Sequence, residues 1–395
     1  MRVCAVICEY NPFHLGHAYH LRAAREASGA DYVLCLMSGA LTQRGAFARH
    51  DKWLRARAAL ENGADVVLEL PARFACAPAP DFAGGGVALL AALGVVTHLS
   101  FGCEPSALPL LSAAASLFKS ESPDFSAALQ RSLADGLPYP RARALAAEQL
   151  AEIPADLLAQ PNAALALEYL QALPETIVPV PIARRGSGYH DASLSALSSA
   201  TAVRAALAQG GLTAALAAVP SPEALRAAEE SDFVHEEEAL TQALLYRLRT
   251  ASPAELAALY GMDEGLENRF IAAAQTCSTR EALLDCIKTR RYTRARLSRL
   301  CAYALLNLTR DFAQTHRAPD YARVLGFRKS AAPLLKTINQ RSSIPLITKA
   351  ANFDRSNPLF ALDVLAQDLW SFGVSNPSLR ASGRDFTTSP AILSR

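Results

Sequence analysis

The sequence has no apolar run long enough to cross a bilayer, which would need about 18 consecutive apolar residues. Its first residues lack the basic region and the cleavage site of a signal peptide. Its eight cysteines are scattered along the chain, and no two of them form a CxxC pair. These absences argue against a membrane-spanning protein and against a secreted, disulfide-stapled domain, and they predict a cytoplasmic protein with reduced thiols.

Charged residues are also few, at 19% of the chain, and the formal net charge is only +2. Any surface that binds nucleic acid must therefore be a local patch, because the molecule has no strong excess of either sign. No spacing typical of metal ligands occurs, so no metal site is predicted. The length of 395 residues exceeds that of one average domain, and we expect two parts, residues 1–212 and 213–395.

The first hundred residues alternate between short apolar runs and segments with helical periodicity. The apolar runs predict buried strands at 3–8, 32–37, 65–70 and 97–102, and helices are predicted between them at 15–27, 51–62 and 81–93. This alternation indicates right-handed βαβ units and a parallel sheet. A further strand predicted at 177–182 contains two prolines, so we expect it at an edge of the sheet.

The carboxyl ends of the predicted strands carry polar and glycine-containing sequence. They read YNPFH (10–14), SGALTQRG (38–45), ELP (69–71) and FGCE (101–104). Ligands of parallel sheets bind beyond these ends, so four such segments favour a binding site at this edge, although loops are often polar for other reasons.

The segment HLGH follows the first strand and opens the first helix, with His14 and His17 three residues apart. Side chains at this spacing project from one helical turn, so both imidazoles can donate to one phosphate. The helix N-terminus adds unpaired N–H groups and partial positive charge, and Gly16 lets a ligand approach the backbone. These features suit nucleotidyl transfer, although HxGH is short and also occurs by chance.

A second segment, SSATAVR (198–204), predicts a helix with a hydroxyl-rich start. Ser199 and Thr201 offer hydroxyl groups, and Arg204 offers a guanidinium for the leaving phosphates. The alternative is an ordinary helix N-cap. Paired with HLGH, the segment favours a nucleotide site.

Together the strand, the NPF turn, HLGH and SSATAVR resemble the nucleotidylyltransferase superfamily with the HIGH-type signature. The resemblance implies an α/β fold, with a Rossmann-like parallel-sheet nucleotidylyltransferase domain that adenylylates a substrate. A mostly helical C-terminal region is expected to follow it.

A closer resemblance covers nearly the whole chain. The segments EYNPFHLGHAYHL (9–21), MSGALTQRGAFARHDKWLRARAALENGADVVLELP (37–71), QPNAALALEYL (160–170), RRGSGYHD (184–191), KTRRYTRARLSRL (288–300) and YARVLGFRKS (321–330) are similar to the bacterial tRNA(Met) cytidine acetate ligase family. The resemblance implies that ATP, together with Mg²⁺, activates acetate as acetyl-adenylate. The acetyl group would then pass to N4 of the wobble cytidine of elongator tRNA(Met), giving N4-acetylcytidine.

The same resemblance implies an ATP site that includes HLGH and its flanks. Its residues would be Ile7, Cys8, Glu9, Tyr10, Asn11, Pro12, Phe13, His14, Leu15, Gly16, His17, Ala18, Tyr19, His20, Gly102, Asn162, Arg184, Arg185, Ser199 and Thr201, with His14, His17 and Arg204 catalytic. Arg44 and Lys52 match the family's QRG and DK positions and are candidates for binding phosphate or acetate. The family more often has Asn where this chain has Ala40, which puts the positioning of acetate in question.

A basic segment near residue 290 is the candidate RNA surface. It contains no acidic residue from 286 to 300, and its candidate RNA contacts are Lys288, Arg290, Arg291, Tyr292, Arg294 and Arg296. Basic side chains can contact phosphates, and Tyr292 can stack on an unpaired base. A solvated basic helix face is the alternative.

Two other functions stay open at this point. One is a small-molecule nucleotidylyltransferase of cofactor biosynthesis, for which the long C-terminal part with its basic segment would be superfluous. The other is a non-catalytic RNA-binding protein with a relict nucleotide site, against which the intact His14, Gly16, His17 and Arg204 argue.

Overall fold

Five parallel strands form the centre of a sheet in the computed structural model, which describes residues 1–120, 122–183 and 199–394. The strands are β1 (Val3–Cys8), β2 (Tyr32–Ser38), β3 (Val66–Leu70), β4 (His98–Gly102) and β5 (Val178–Ile182). Strand β1 pairs with both β2 and β4, and the spatial order is β5-β4-β1-β2-β3. The predicted parallel sheet is therefore confirmed, and β5 lies at its edge as its prolines require.

Helices follow the strands on both faces of the sheet. In the first half of the chain they are α1 (Leu15–Ser28), α2 (Lys52–Glu61), α3 (Ala72–Ala75), α4 (Ala79–Ala92), α5 (Leu108–Ser120), α6 (Pro123–Ala134), α7 (Tyr139–Ala151), α8 (Ala155–Ala159) and α9 (Pro161–Ala172). Asp51 is the N-cap of α2, and its carboxylate accepts the Trp53 N–H at 3.0 Å.

Side chains of the central strands alternate between two buried cores, because successive residues of a strand point to opposite faces. Val3 and Ala5 of β1 belong to a core that includes Phe82 of α4. Cys4 and Val6 point the other way, to a core that includes Leu21 of α1. A strand covered on both faces must be apolar throughout, which explains the continuous run VCAVIC.

The second half of the chain is mostly helical. Its helices are α10 (Ala200–Ala208), α11 (Leu212–Ala217), α12 (Pro222–Glu230), α13 (Thr241–Thr250), α14 (Pro253–Ala257), α15 (Leu266–Thr276), α16 (Arg280–Ile287), α17 (Arg294–Leu306), α18 (Arg310–Thr315), α19 (Ala332–Arg341), α20 (Pro358–Phe372) and α21 (Arg384–Thr387). They enclose a further core centred on α13, α15, α17 and α20. No helix in the described ranges is long and apolar enough to span a membrane.

Three strands from this second half extend the sheet, and the sequence analysis did not predict them. Strand β6 (Ala322–Arg328) pairs antiparallel with β3, while β7 (Leu346–Ile347) and β8 (Ala391–Leu393) pair parallel with β6. The sheet thus contains strands from both sides of the division expected at residue 212, and that division stays a prediction.

Candidate active site

A cavity of about 310 Å³ opens at the carboxyl ends of β1, β4 and β5, the edge that the sequence predicts for a ligand. The predicted site residues that line it are Ile7, Cys8, Glu9, Tyr10, Asn11, His14, Gly16, His17, Tyr19, His20, Arg44, Gly102, Asn162, Ser199, Thr201 and Arg204. Pro12, Phe13, Leu15 and Ala18 lie in the same segment but do not line the cavity. Arg184 and Arg185 fall outside the described residues.

The two motif histidines lie against each other at the start of α1, with ring centroids 3.6 Å apart and ring planes tilted by 31°. His14 is the N-cap of α1, and its Nδ1 accepts the Gly16 N–H at 3.1 Å. The Nδ1 of His17 accepts the His14 N–H at 3.3 Å. A neutral imidazole that accepts at Nδ1 carries its proton on Nε2. Both rings therefore have a hydrogen-bond donor at Nε2.

The backbone of the α1 N-terminus corrects the expectation of unpaired N–H groups. The Leu15 N–H donates to the Ala218 carbonyl at 3.0 Å, and the Gly16 N–H donates to His14. A side chain at Gly16 would lie 2.9 Å from Cε1 of the His14 ring. Glycine therefore leaves room for the His14 ring, and it also lines the cavity.

The second motif reaches the first through Arg204. Its Nη1 donates to the Asn11 carbonyl at 2.5 Å, and its Nη2 donates to Thr201 Oγ1 at 3.4 Å. Ser199 is the N-cap of α10 and accepts the Ala202 N–H at 3.2 Å, as the N-cap alternative predicts, while it also lines the cavity. HLGH and SSATAVR thus meet at one site although nearly two hundred residues separate them.

Helix α9 closes the opposite side of the cavity. Asn162 lines the cavity from the first turn of this helix, whose N-cap is Gln160. Leu165, Ala166 and Tyr169 continue this wall, which is apolar. The cavity therefore has an apolar end, suited to a flat base, and a polar end with imidazole and guanidinium groups.

Arg55 fixes the end of β1, and the sequence analysis did not single it out. Its guanidinium donates to the carbonyls of Glu9 at 2.6 Å, Ser38 at 3.1 Å, His50 at 3.0 Å and Gly39. Burial lowers the pKa of Arg55 to about 10, which leaves it charged at neutral pH. The signal in the sequence is its place on the buried face of α2, together with Ala59.

The loop after β2 joins the cavity to the basic helix α17. Gln43 and Arg44 line the cavity, and the Gln43 N–H donates to Glu9 Oε1 at 2.7 Å. Gly45 has a φ of +81°, and a Cβ there would lie 2.3 Å from the Arg299 nitrogen. Only glycine permits this backbone contact with α17. Ala40 is buried and does not line the cavity.

Lys52 lies elsewhere, and the structure corrects its predicted role. It is 1% exposed, and its Nζ lies 2.7 Å from Glu69 Oε1 and 2.7 Å from Asp385 Oδ1. Arg323 joins this buried ion cluster, with its Nη1 2.5 Å from Asp385 Oδ1. Lys52 does not line the cavity, so it stabilises the packing between α2 and the C-terminal segment rather than contacting substrate.

Comparison with known proteins places the chain in a family. A family model described as HIGH Nucleotidyl Transferase matches residues 1–385. The tRNA(Met) cytidine acetate ligases of Halothermothrix orenii and Acetivibrio thermocellus are 37% and 34% identical to it, over 98% and 100% of both chains. The chain belongs to the tRNA(Met) cytidine acetate ligase family.

Solved structures agree with this family membership. Crystal structures of Thermotoga maritima TmcAL, in the apo form and bound with alpha-thio ATP, superpose with TM-scores of 0.93 and 0.92. Both share 30% sequence identity with this chain and cover it fully. The α/β fold with a helical C-terminal region is therefore confirmed.

The basic segment expected to bind RNA in this family is partly neutralised by acidic neighbours. Arg291 pairs with Glu264 at 2.5 Å, Arg296 lies 3.6 Å from Asp263, and Arg294 pairs with Glu281 and Asp285. These pairs are exposed, and such pairs contribute at most about 1 kcal/mol, so RNA phosphates can replace the carboxylates at low cost.

Tyr292 corrects a second expectation about this surface. Its ring is only 5% exposed and lies below the Arg296 guanidinium, and its hydroxyl donates to Glu264 at 3.0 Å. A ring in this position supports the loop and is not presented to an unpaired base. Lys288 and Arg290 are exposed, and neither forms an ion pair within the described residues. These two remain the best placed for phosphate contacts.

Proposed function

We propose that the protein activates acetate with ATP and transfers the acetyl group to N4 of the wobble cytidine in elongator tRNA(Met). The observation that carries the proposal is the meeting of His14, His17 and Arg204 at one cavity. The family relatives named above support the choice of acetate and tRNA(Met) as substrates. We place this reaction in the cytoplasm, where tRNA is available.

In the first step a carboxylate oxygen of acetate attacks the α-phosphorus of ATP. The new bond from oxygen to phosphorus forms as the bond to the bridging oxygen of pyrophosphate breaks. The Nε2–H groups of His14 and His17 donate to the phosphoryl oxygens on which charge develops, and Arg204 stabilises the departing pyrophosphate. No covalent bond to the protein is required.

The two ends of the cavity suit the two ends of ATP. The base would lie against the apolar wall of α9, and the phosphates would lie against the imidazoles and Arg204. Among the described residues no group of three or more His, Cys, Asp and Glu side chains could hold a metal ion. In this proposal Mg²⁺ arrives with ATP and is held mainly by phosphate oxygens and water.

The contact between the cavity loop and α17 favours this proposal over a small-molecule nucleotidylyltransferase. Gly45 places the loop that bears Arg44 directly against Ser298 and Arg299 of the basic helix. An RNA that binds through Lys288 and Arg290 would thus lie beside the opening of the nucleotide cavity. A small cofactor precursor would need no such surface.

The test is exchange of labelled pyrophosphate into ATP by the purified protein, with and without acetate. We expect exchange that depends on acetate and that falls at least about tenfold in His14→Ala and in His17→Ala. His316→Ala, which removes the histidine at the C-cap of α18, outside the cavity lining, should behave as wild type.

Formation of N4-acetylcytidine in unmodified elongator tRNA(Met), detected by mass spectrometry, tests the second step. Exchange that responds to another acid would contradict acetate as the substrate. Absence of exchange with every acid would contradict the adenylation chemistry.

A further inference from the structure

Glu9 is the only acidic side chain among the described residues that line the cavity. It directly follows β1 and precedes Tyr10, whose φ of 51° turns the chain sharply into the histidine motif. Nucleotide phosphates are anionic, so a carboxylate in their cavity must serve some other group. Its position therefore points to the second substrate.

Two contacts hold Glu9 in one orientation. Its carbonyl accepts a hydrogen bond from Arg55 at 2.6 Å, and its Oε1 accepts the Gln43 N–H at 2.7 Å. The other carboxylate oxygen, Oε2, has no hydrogen-bond donor in the part of the chain that the structure describes. A carboxylate fixed through one oxygen is preorganised to accept a proton at the other.

Acetyl transfer to a cytosine amine needs such an acceptor. The amine is a weak nucleophile, and its N–H becomes acidic only as the new bond to carbon forms. His14 and His17 already use Nδ1 to accept backbone N–H groups, so each presents a donor at Nε2. Those rings suit phosphate, whereas Glu9 is the one carboxylate in the described cavity lining that can accept a proton.

We propose that Glu9 binds the target cytidine through its N4 amine and is the general base of acetyl transfer, an inference that rests on the proposed function. The N4 lone pair attacks the acetyl carbonyl carbon of acetyl-adenylate, forming the C–N bond. The bond from that carbon to the phosphate oxygen breaks, and its electron pair leaves with AMP. The N4 proton passes to Glu9 Oε2 and then to water.

The surroundings of Glu9 indicate the side from which the RNA arrives. The Gln43 residue that holds Oε1 also accepts, through its carbonyl, a hydrogen bond from Arg299 Nη1 of α17 at 3.1 Å. Glu9, Gln43 and the basic helix are therefore joined by consecutive contacts. A cytidine extended from an RNA on α17 would reach the cavity at Glu9.

The same carboxylate gives a reason for the choice of cytidine. Cytosine presents an amine donor at position 4, which a carboxylate accepts, whereas uracil presents a carbonyl oxygen, which a carboxylate repels. Recognition and deprotonation would then use one side chain. A glutamine in this place would keep the bond from Gln43 yet could donate its amide N–H to uracil.

The experiment separates the two steps in wild type and Glu9→Gln. Acetate-dependent pyrophosphate exchange reports adenylation, and single-turnover formation of N4-acetylcytidine from preformed enzyme-bound acetyl-adenylate reports transfer. We expect E9Q to retain most of its exchange and to lose at least about 10²-fold in the transfer rate. Glu104→Gln removes an exposed carboxylate at the same edge of the sheet, outside the cavity lining, and should match wild type in both assays.

Competition binding measures the preference between wobble cytidine and wobble uridine, which a structural defect alone would not change. We expect E9Q to reduce the preference for wobble cytidine over wobble uridine by about tenfold. Equal losses in exchange and transfer would refute the inference, since they would mean that Glu9 serves ATP, its metal ion or the fold. Wild-type transfer by E9Q would refute it too. Failure of the wild-type protein to form N4-acetylcytidine would instead refute the proposed function, and this inference with it.

Discussion

Replacement of Gly16 by alanine should displace the His14 ring while leaving the stability of α1 unchanged or slightly higher. A Cβ at this position would lie 2.9 Å from His14 Cε1, whereas carbon atoms in favourable contact are at least about 3.5 Å apart. The His14 ring must therefore move by about 0.6 Å or rotate. Alanine also favours a helix over glycine by up to about 1 kcal/mol, so the fold should not suffer.

We expect Gly16→Ala to reduce acetate-dependent pyrophosphate exchange by about ten- to a hundredfold, because small displacements of catalytic groups have effects of this size. The melting temperature should stay equal or rise by about 1–3 °C, measured by differential scanning fluorimetry without ligand. Activity and stability would thus move in opposite directions.

Gly84→Ala is the matched control. Gly84 lies within α4, and a Cβ there would meet no atom within 4 Å. The substitution should give the same gain in helix stability and leave exchange unchanged. Wild-type exchange in G16A would refute the reasoning, since it would show that the position of the His14 ring does not limit the adenylation rate.

Two further predictions concern buried charges. Lys52→Met removes one cation of the buried cluster, so that Glu69 and Asp385 keep Arg323 but lose the ammonium group, and it should destabilise the fold by about 3–5 kcal/mol in urea unfolding. Lys119→Met, on the exposed end of α5, should change the unfolding midpoint little, and an unchanged midpoint in K52M would contradict the buried cluster. Burial would raise the pKa of Glu229, but hydrogen bonds from Arg49 and His50 outweigh it and lower the pKa to about 2. A carboxylate whose pKa is lower in the folded state stabilises the fold above its unfolded pKa, and this stabilisation is lost as the pH falls toward the folded pKa. The melting temperature of Glu229→Gln should therefore lie furthest below wild type at pH 6–7 and converge with it near pH 2. A constant difference across this range would argue against the ionised carboxylate.

The sequence sufficed for the central sheet because its signals are local. An apolar run such as VCAVIC reports burial on both faces, and Asp51 marks the start of α2. HLGH lies at the carboxyl end of β1, where sheet topology predicts a ligand site, whereas the contact of Arg204 with Asn11 is seen only in the structure.

The missed features depend on partners that are distant in the chain. Strand β6 reads ARVLGFR, and only its antiparallel pairing with β3 makes it a sheet strand. The family resemblance predicts a substrate contact for Lys52, and the basic segment predicts an RNA contact for Tyr292. The structure instead pairs Lys52 with Asp385 and Tyr292 with Glu264. The hydrogen bonds that Arg55 makes to the carbonyls of Glu9 and Ser38 depend on three-dimensional geometry, whereas the sequence indicates only that Arg55 lies on the buried face of α2.

The buried cluster around Lys52 bears on how the protein is made. During synthesis Lys52 and Glu69 leave the ribosome long before Arg323 and Asp385, and the neighbouring pair of Asp51 and Arg384 is separated by 333 residues. The nucleotide-binding half of the nascent chain therefore cannot complete its packing until translation is nearly finished, and the sheet edge at β3 stays uncovered until then. A truncation that removes the last strands would leave that half prone to aggregate rather than release a working adenylation module.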